Sequence, residues 1–237
     1  MGTGSNNSLL GIQPTVVVSA NKQDSDTIYF ERTVCQIGRS KLLCANYSED
    51  LLNLIELKTF SFPYSLIDEN WVKQIQEILE SISLKKPLYL FEPSSFIIIP
   101  NTLYLQADIE NHLKLQGADM LGASFVVNKN DTFDCQLVSS IPTNLIEVLS
   151  NGEIIPDICP VLESQFSSKK GILQVIIRDE HIDVLLSGKT LALINRFNAD
   201  HANDILYFCV SAIEQAGFNI DDVSVNLSGS AEKIDLV

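Results

Sequence analysis

The sequence predicts a mixed α/β fold made by duplication of one structural unit. Three observations lead to this prediction: strands that alternate apolar and polar residues, one amphipathic helix in each half, and the same order of elements twice. Two alternating strands, a third strand, a helix and a fourth strand run from about Thr33 to Glu92 and again from about Gly171 to Ser228. Repeated order at similar spacing is typical of repeated units. Each copy is therefore expected to form a subdomain with its own sheet.

The first copy opens with a predicted β-hairpin. Apolar and polar residues alternate over residues 33–38, the chain turns at Arg39-Ser40, and residues 42–47 return. Such alternation on both sides of a short polar turn is typical of two antiparallel strands. Residues 51–62 are rich in Leu, Ile and Phe and predict the third strand.

A helix and a closing strand complete this copy. Asp68 is the expected N-cap, and the apolar residues between Trp71 and Ile82 recur at helical spacing, which predicts a helix that packs its Trp71 face on the sheet. Leu88 to Phe91 is a short apolar run, as expected for a buried parallel strand that returns beside the first.

The second copy follows the same pattern. A hairpin turning at Asp179-Glu180 and a strand ending at Phe197 precede a helix for which Asn198 is the expected N-cap. Gly217 is expected to end the helix in the left-handed conformation. Val223 to Leu227 predict the closing strand.

The segments outside the two copies give weaker patterns. Residues 1–14 are rich in Gly, Ser and Asn and are expected to be loose, whereas the short apolar run Thr15 to Ser19 predicts an added edge strand. In the middle we expect a separate segment at residues 95–99, a strand at residues 132–139 and helices at residues 107–116 and 143–149. The predicted domains are an N-terminal extension (1–31), a first subdomain with an insertion (32–165) and a second subdomain (166–237).

Composition limits the classes of partner. The chain has 237 residues, is 46% hydrophobic and carries 30 acidic against 16 basic residues, a formal net charge of -14. Such a charge repels nucleic acid and anionic membrane surfaces at long range, so neither is an expected partner. The five cysteines are odd in number and embedded in apolar segments, which is typical of reduced core residues in a cytoplasmic protein. Neither a secretion signal nor an apolar run long enough for a membrane helix is seen.

Three segments resemble a known family. They are Ser94 to Tyr104 (SSFIIIPNTLY), Ser140 to Leu149 (SIPTNLIEVL) and Lys170 to Lys233. Over about Arg32 to Lys233 the chain looks like an uncharacterised bacterial family with an actin-like ATPase fold and no assigned activity. This resemblance implies a duplicated RNase H-like fold, shared by sugar kinases, heat-shock chaperones and actin, with two ββ-β-α-β subdomains whose mixed sheets face a cleft.

The turns that hold phosphate in active members of this superfamily have different residues here. An aspartate followed by small residues is usual, because the loop must present backbone N–H groups to phosphate and a carboxylate must hold magnesium through water. The first turn, residues 37–41 (Ile-Gly-Arg-Ser-Lys), has one glycine and no acid. The second, residues 177–181 (Ile-Arg-Asp-Glu-His), has no glycine, and its paired acids would repel a triphosphate.

Other possible sites are weaker. The glycine-rich turn that seats adenosine in the superfamily is partly present as residues 227–231 (Leu-Ser-Gly-Ser-Ala), a pattern that strand-to-helix turns also show. Three acids near the second turn, Asp179, Glu180 and Asp183, fit a solvated turn better than a cation site. The three histidines lack the spacing of metal ligands, so we expect no metal site.

These observations favour a degenerate, non-catalytic actin-like scaffold that binds an unidentified protein and needs no cofactor. One alternative is an atypical nucleotide-binding or phosphotransfer enzyme, whose cofactor-binding residues would be Gly38, Ser40, Gly229 and Ser230. A second alternative is a structural protein of assemblies such as filaments or pili. The sequence indicates no catalytic residue.

Overall fold

A computed structural model describes residues 16–19, 30–48, 53–62, 69–115, 121–164, 170–179, 181–199 and 201–229. In chain order the strands are β1 (Val16–Ser19), β2 (Arg32–Ile37), β3 (Lys41–Tyr47), β4 (Leu54–Ser61), β5 (Leu88–Phe91), β6 (Phe96–Pro100), β7 (Ala123–Asn130), β8 (Cys135–Pro142), β9 (Glu153–Pro156), β10 (Gly171–Ile177), β11 (His181–Ser187), β12 (Leu191–Asn198) and β13 (Val223–Gly229). The α-helices are α1 (Glu69–Ser81), α2 (Ile109–Leu115), α3 (Thr143–Val148), α4 (Cys159–Ser164) and α5 (Ala202–Gln215).

The chain divides into two compact units, each discontinuous in sequence. The first unit comprises Met1–Ser94, Ala118–Val126 and Ser140–Asp157. The second unit comprises Ser95–Gly117, Val127–Ser139 and Ile158–Val237. The continuous domain boundaries drawn from the sequence stay predictions.

The duplicated strand order is confirmed. The first unit has the order β1-β4-β3-β2-β5-β9 and the second has β12-β11-β10-β13. In both, three successive strands pair antiparallel, and the strand after the helix then pairs parallel with the first: β5 with β2, and β13 with β10. The first unit adds β1 at one edge, as the run from Thr15 to Ser19 predicted, and β9 at the other, parallel to β5.

The core of the first unit lies between its sheet and the helices α1 and α3. Trp71 and Ile75 of α1 are buried against Ile37 and Phe91 of the sheet, which confirms the predicted Trp71 face, and Leu145 of α3 joins the same cluster. Phe62, which follows β4, meets Trp71 edge to face, with ring centroids 6.5 Å apart. These contacts bury the apolar stripe that makes α1 amphipathic.

The second unit buries both faces of its sheet. On one face α5 packs against alternate residues of β10 and β11, such as Val175 and Val184. On the other face Ile176 and Leu185 pack against Leu137 of β8 and against α4. All seven residues of β11 are buried, so the polar face expected from its alternation is not solvated.

This second covering layer is built from β6, the first part of β8 and α4, and the two strands belong to a small third sheet. The strand order is β6-β8-β7, with β6 antiparallel to β8 from Phe96↔Ser139 to Pro100↔Cys135. The sequence predicted β8 at residues 132–139, which is three residues too early. That prediction included the turn that precedes the strand. The strand β9 and the helix α4 were not predicted, since such short segments carry little periodicity. The strand β7 was missed because its residues (Ala-Ser-Phe-Val-Val-Asn-Lys-Asn) do not alternate regularly between apolar and polar.

Helix bounds were predicted to within a few residues, with one error at a cap. Asn198 was expected to cap α5, but it is the last residue of β12, and the cap is His201, whose backbone N–H donates to Asp204 Oδ2 at 3.0 Å. Gly217 follows the helix with φ 73°, as predicted. Asp68, the expected cap of α1, lies outside the described residues.

None of the described helices is long and apolar enough to cross a lipid bilayer. The cytoplasmic location stays a prediction.

The five cysteines are free and buried. Cys35 and Cys44 lie directly opposite each other on β2 and β3, with Sγ atoms 3.2 Å apart, which is a thiol contact rather than a disulfide bond. The hydrogen bond to Cys44 and burial raise the pKa of the Cys35 thiol. Burial also raises the pKa of Cys209, to about 11.

We therefore expect the native thiols to react with Ellman's reagent at least about tenfold more slowly than those of the unfolded chain, because the thiolate is both rare and inaccessible. Following thiol release at pH 8 with and without denaturant measures this difference. All five thiols should react in denaturant. A native thiol that reacts at the unfolded rate would contradict the burial described above.

Candidate functional site

The first candidate turn joins β2 to β3 at Arg39-Ser40. Its backbone is closed by hydrogen bonds within the first unit: Gly38 N–H donates to Lys41 O at 2.9 Å, and Ser40 O accepts from Phe62 N–H at 2.7 Å. A phosphate loop presents such N–H groups to its ligand. Here the N–H group of Gly38 is already used by the hairpin.

A carboxylate lies beside the only glycine of this turn. Glu92 follows β5, and its N–H donates to Ile37 O at 2.9 Å, which places the residue next to the turn. Its Oε2 is 3.3 Å from the position that a Cβ on Gly38 would take. Its Oε1 is 3.7 Å from Arg39 Nε, and its side chain is 10% exposed. A polyphosphate approaching Gly38 would meet this negative charge.

Next to the second candidate turn, between β10 and β11, lies a buried ion cluster that we call the Asp183 cluster: Arg178 of the turn, Asp183 of β11 and Arg196 of β12. Asp183 Oδ2 accepts from Arg178 Nε at 2.7 Å, and Arg196 donates to Oδ1 at 2.6 Å and to Oδ2 at 3.0 Å. The Asp183 side chain is 0% exposed. The Arg196 guanidinium also lies over the Phe96 ring, 5.3 Å from its centroid.

The two arginines keep Asp183 ionised. Burial alone would raise the pKa of this carboxyl, but the hydrogen bonds and charge of Arg196, followed by those of Arg178, lower it below its ordinary value of 3.8. The interpretation of Asp183 as part of a solvated acidic turn was therefore wrong. Asp179 belongs to the turn, and Glu180 lies outside the described residues.

Gly229 is explained by backbone packing. It ends β13 opposite Ile177 and has φ 114°, a conformation that favours glycine. A Cβ at this position would overlap the Ile177 carbonyl oxygen. Close approach of two strands therefore requires glycine here, with or without a ligand.

The structure brings together only some of the residues assigned to the nucleotide-binding alternative. Gly38 and Ser40 share the first turn, Gly229 belongs to the second unit, and Ser230 lies outside the described residues. Their role as a cofactor site stays a prediction. No group of three His, Cys, Asp or Glu side chains suited to a metal ion occurs within the described ranges.

A groove of about 500 Å³ lies elsewhere in the first unit, between α1 and α3. It is lined by Lys73 and Gln76 from α1 and by Asn144 and Glu147 from α3, among others. The lining includes the carboxylate of Glu147, which would repel a phosphate, so the groove is a weaker candidate for a nucleotide than the two turns.

Sequence reasoning missed Glu92 and Arg196. Glu92 is distant in sequence from Gly38, and only the parallel pairing of β5 with β2 brings the two together. Arg196 could have been noticed, because a charged residue on an otherwise apolar strand often has a buried partner. Its pairing with Asp183 depends on the register of β11 with β12.

The sequence profile of the protein family DUF3822, described as a protein of unknown function, matches residues 21–237. The chain belongs to this family. The match covers both units of the DUF3822 chain and agrees with the resemblance seen in its sequence. No curated protein sequence matches the chain significantly.

Solved structures show which fold this DUF3822 chain has. A protein of Bacteroides thetaiotaomicron with an actin-like ATPase fold and unknown function is similar over 89% of this chain and 88% of its own, with a TM-score of 0.75 and 16% identity. The chain thus has the actin-like fold. The ethanolamine utilization protein EutJ of Carboxydothermus hydrogenoformans and the PPX-GPPA enzyme of Aquifex aeolicus match with TM-scores of 0.35 and 0.33, each at 8% identity, over 81% and 78% of this chain. The chain spans only 61% and 59% of their lengths.

Replacing Asp183 by Asn should destabilise the protein by about 3–5 kcal/mol at pH 7, because two arginines would be left without their buried counter-charge. Since the folded pKa of Asp183 is lowered, its contribution is present above the ordinary value of 3.8 and is lost as the pH falls through the folded pKa. The difference from the wild type should therefore shrink in acid. Denaturant unfolding at pH 7 and near pH 3 measures both effects.

Asp131→Asn is the matched control, because the Asp131 side chain is 83% exposed and pairs with Lys129 at the surface. Its unfolding curve should stay close to that of the wild type, since exposed ion pairs contribute little. Equal stability of the two variants at pH 7 would show that the Asp183 cluster is unimportant for folding.

Gly229→Ala should destabilise the protein by about 2–4 kcal/mol, because the new methyl group cannot fit against the Ile177 carbonyl without separating β13 from β10. The matched control is Gly217→Ala, which has φ 73° but no heavy atom within 4 Å of the new Cβ. That variant should lose only the conformational term of about 1–2 kcal/mol. Thermal unfolding compares the two, and an equal loss would disprove the steric explanation.

Proposed function

We propose that this chain is a degenerate, non-catalytic actin-like scaffold that acts by binding another protein. The observation that carries the proposal is that charged side chains at both turns corresponding to phosphate loops are engaged in internal charge pairs. The Glu92 carboxylate lies beside Gly38 at the first turn, and Arg178 of the second turn is bound to Asp183 in the Asp183 cluster.

The first turn supports this proposal through charge. A phosphate near Gly38 would have to displace Glu92, whose side chain is 10% exposed and lies within ion-pair distance of Arg39. Moving the carboxylate would also separate it from Arg39. The turn contains no acid of its own to hold magnesium through water.

The second turn supports the proposal because the two arginines of the Asp183 cluster already have an internal partner. Arg178 and Arg196 would be natural phosphate ligands, but both donate to the same carboxylate, and their side chains are 9% and 15% exposed. A phosphate would have to replace Asp183, which is wholly buried and would then lack its counter-charges.

Exposed apolar side chains support a role in protein binding. Such residues occur mainly in the second unit, and they include Leu103, Leu115, Leu206, Tyr207 and Val225. Val225 and Leu227 share one face of β13, and adjoining apolar side chains that stay exposed are typical of protein interaction sites. The net charge of -14 favours a partner with a basic surface.

Calorimetric titration of the full chain with ATP and magnesium should give no binding heat. In parallel, thermal unfolding in excess ATP should match that in buffer, because only a ligand of the folded state stabilises it. For a site with a dissociation constant of ~10 μM, an ATP concentration one hundred times that constant would add ~2.7 kcal/mol to the free energy of unfolding. Such a change would be seen easily.

Micromolar affinity for ATP would overturn the scaffold proposal and favour the enzyme alternative with Gly38, Ser40, Gly229 and Ser230. Light scattering over a concentration series distinguishes the scaffold from the second alternative, a structural protein of assemblies. Growth of the scattering mass with concentration would favour a polymer, whereas a constant mass fits a scaffold that binds a different protein.

A further inference from the structure

The strand β13 forms an open edge of the second unit. It pairs with β10 on one side, and among the described residues no strand pairs on its other side. Val225 and Leu227 of β13 are 52% and 39% exposed. They lie beside Leu173 and Val175 of β10, which are buried on the face that α5 covers. The apolar face of this sheet therefore continues beyond its helix.

The first unit shows what occupies the equivalent edge. Ile37 ends the first strand of the first unit, and Ile177 ends the first strand of the second unit. Two residues before Ile37, Cys35 pairs with Tyr89. Two residues before Ile177, Val175 pairs with Leu227. Tyr89 and Leu227 are thus equivalent residues. Tyr89 is 0% exposed, whereas Leu227 is 39% exposed.

The connection between α3 and β9 buries Tyr89. The Tyr89 hydroxyl donates to Asn151 Oδ1 at 2.7 Å, and Gly152 packs against the ring so closely that its missing Cβ would lie 2.7 Å from Cε2. From there β9 runs parallel to β5. Among the described residues, no strand pairs with β13 as β9 pairs with β5.

We propose that the open edge of β13 binds an extended segment of another protein, added parallel to β13 as β9 is added to β5. This inference rests on the proposed scaffold function and names its binding surface. Strand addition supplies backbone hydrogen bonds for affinity, and alternate side chains of the added strand cover Val225 and Leu227.

The edge lacks the features that usually protect exposed strands. Proteins block such edges with charged residues, proline or bulges. The outer strand of the first unit, β9 (Glu-Ile-Ile-Pro), carries both a charge and a proline. The strand β13 (Val-Ser-Val-Asn-Leu-Ser-Gly) has neither, and its pairing with β10 runs without a register shift.

Charge defines the chemistry of the partner. From His201 to Gly229 the chain has four acids and no lysine or arginine. Asp221 and Asp222 are exposed immediately before β13 begins. In a parallel arrangement the N-terminal end of the added strand lies next to these two carboxylates. The partner segment is therefore basic at its N-terminal end and alternately apolar after it.

The flank of α5 on the same side adds apolar surface. Phe208 stacks on Phe197 of β12 with centroids 4.3 Å apart, so this flank of α5 faces β12. Leu206 precedes Phe208 by two residues, or about 200° around a helix, and therefore lies on the opposite flank, towards β13. Leu206 is 59% exposed.

The test uses a synthetic peptide, acetyl-Lys-Lys-Thr-Val-Thr-Ile-Thr-Val-amide, with a fluorescent label, titrated with the full chain at low salt. Saturable binding is expected, with slower hydrogen exchange at the outward amides of β13.

The double variant Val225→Lys with Leu227→Lys should weaken binding about tenfold or more, because it repels the basic end and removes the apolar contacts. Leu103→Lys, at a side chain that is 67% exposed in the same unit, is the matched control and should bind like the wild type.

A second peptide with Glu-Glu in place of Lys-Lys should bind at least about tenfold more weakly, and salt should reduce the difference. Several results would overturn the proposal: no binding of the basic peptide, equal binding by the double variant, or equal binding of the two peptides. Protection of the outward β13 amides in the free monomer would show that the chain covers its own edge. A dimer lost in the double variant would show that a second copy does so.

The two proposals can fail separately. ATP binding would remove the scaffold function without affecting the peptide titration, whereas failure of the titration leaves the scaffold with a different binding surface. Circular dichroism and thermal unfolding of the double variant check that its fold is retained, which is expected because both side chains are substantially exposed.

Discussion

The parallel pairing of the last strand with the first is the constraint on which the rest of each unit depends. In the first unit it joins β5 to β2, and in the second it joins β13 to β10. Parallel strands end at the same edge of a sheet, so whatever follows the last strand lies beside the turn that follows the first. This is why Glu92 meets Gly38, and why Gly229 meets Ile177. In the second unit this pairing leaves β13 at the edge of the described sheet, whereas β9 extends the first sheet beyond β5.

Charge at these turns is the basis of the proposal that this actin-like chain acts without a nucleotide. A phosphate site depends on donors that are unoccupied until the ligand arrives. Here Glu92 lies within ion-pair distance of Arg39, and Asp183 is held by two arginines, so a ligand would have to break existing interactions. Buried pairs of this kind often contribute little net stability, yet removing one partner is costly. The turns are therefore expected to keep their internal partners.

Much of the fold could be predicted from the sequence because the repeated hairpins and amphipathic helices are local patterns. The Trp71 face of α1 and the stop at Gly217 follow from spacing and residue type alone. The errors occurred where neighbours decide. Asn198 has the chemistry of a helix cap but continues β12, because its position opposite His181 extends the ladder with β11. Asp183 has the chemistry of a turn residue, but it is buried on the face of β11 that β8 and α4 cover, and these elements are distant from it in sequence.

The sequence by itself determined the duplicated order of elements and the absence of the usual phosphate-loop residues, since these depend on periodicity and residue identity, whereas the actin-like class followed from a resemblance to a known family. Only the tertiary structure decided that Glu92 lies beside Gly38, that two arginines share Asp183, and that Leu227 is exposed where Tyr89 is covered. The physical reason is that these contacts join residues through strand register and packing. Neither property can be derived from a single segment of the chain.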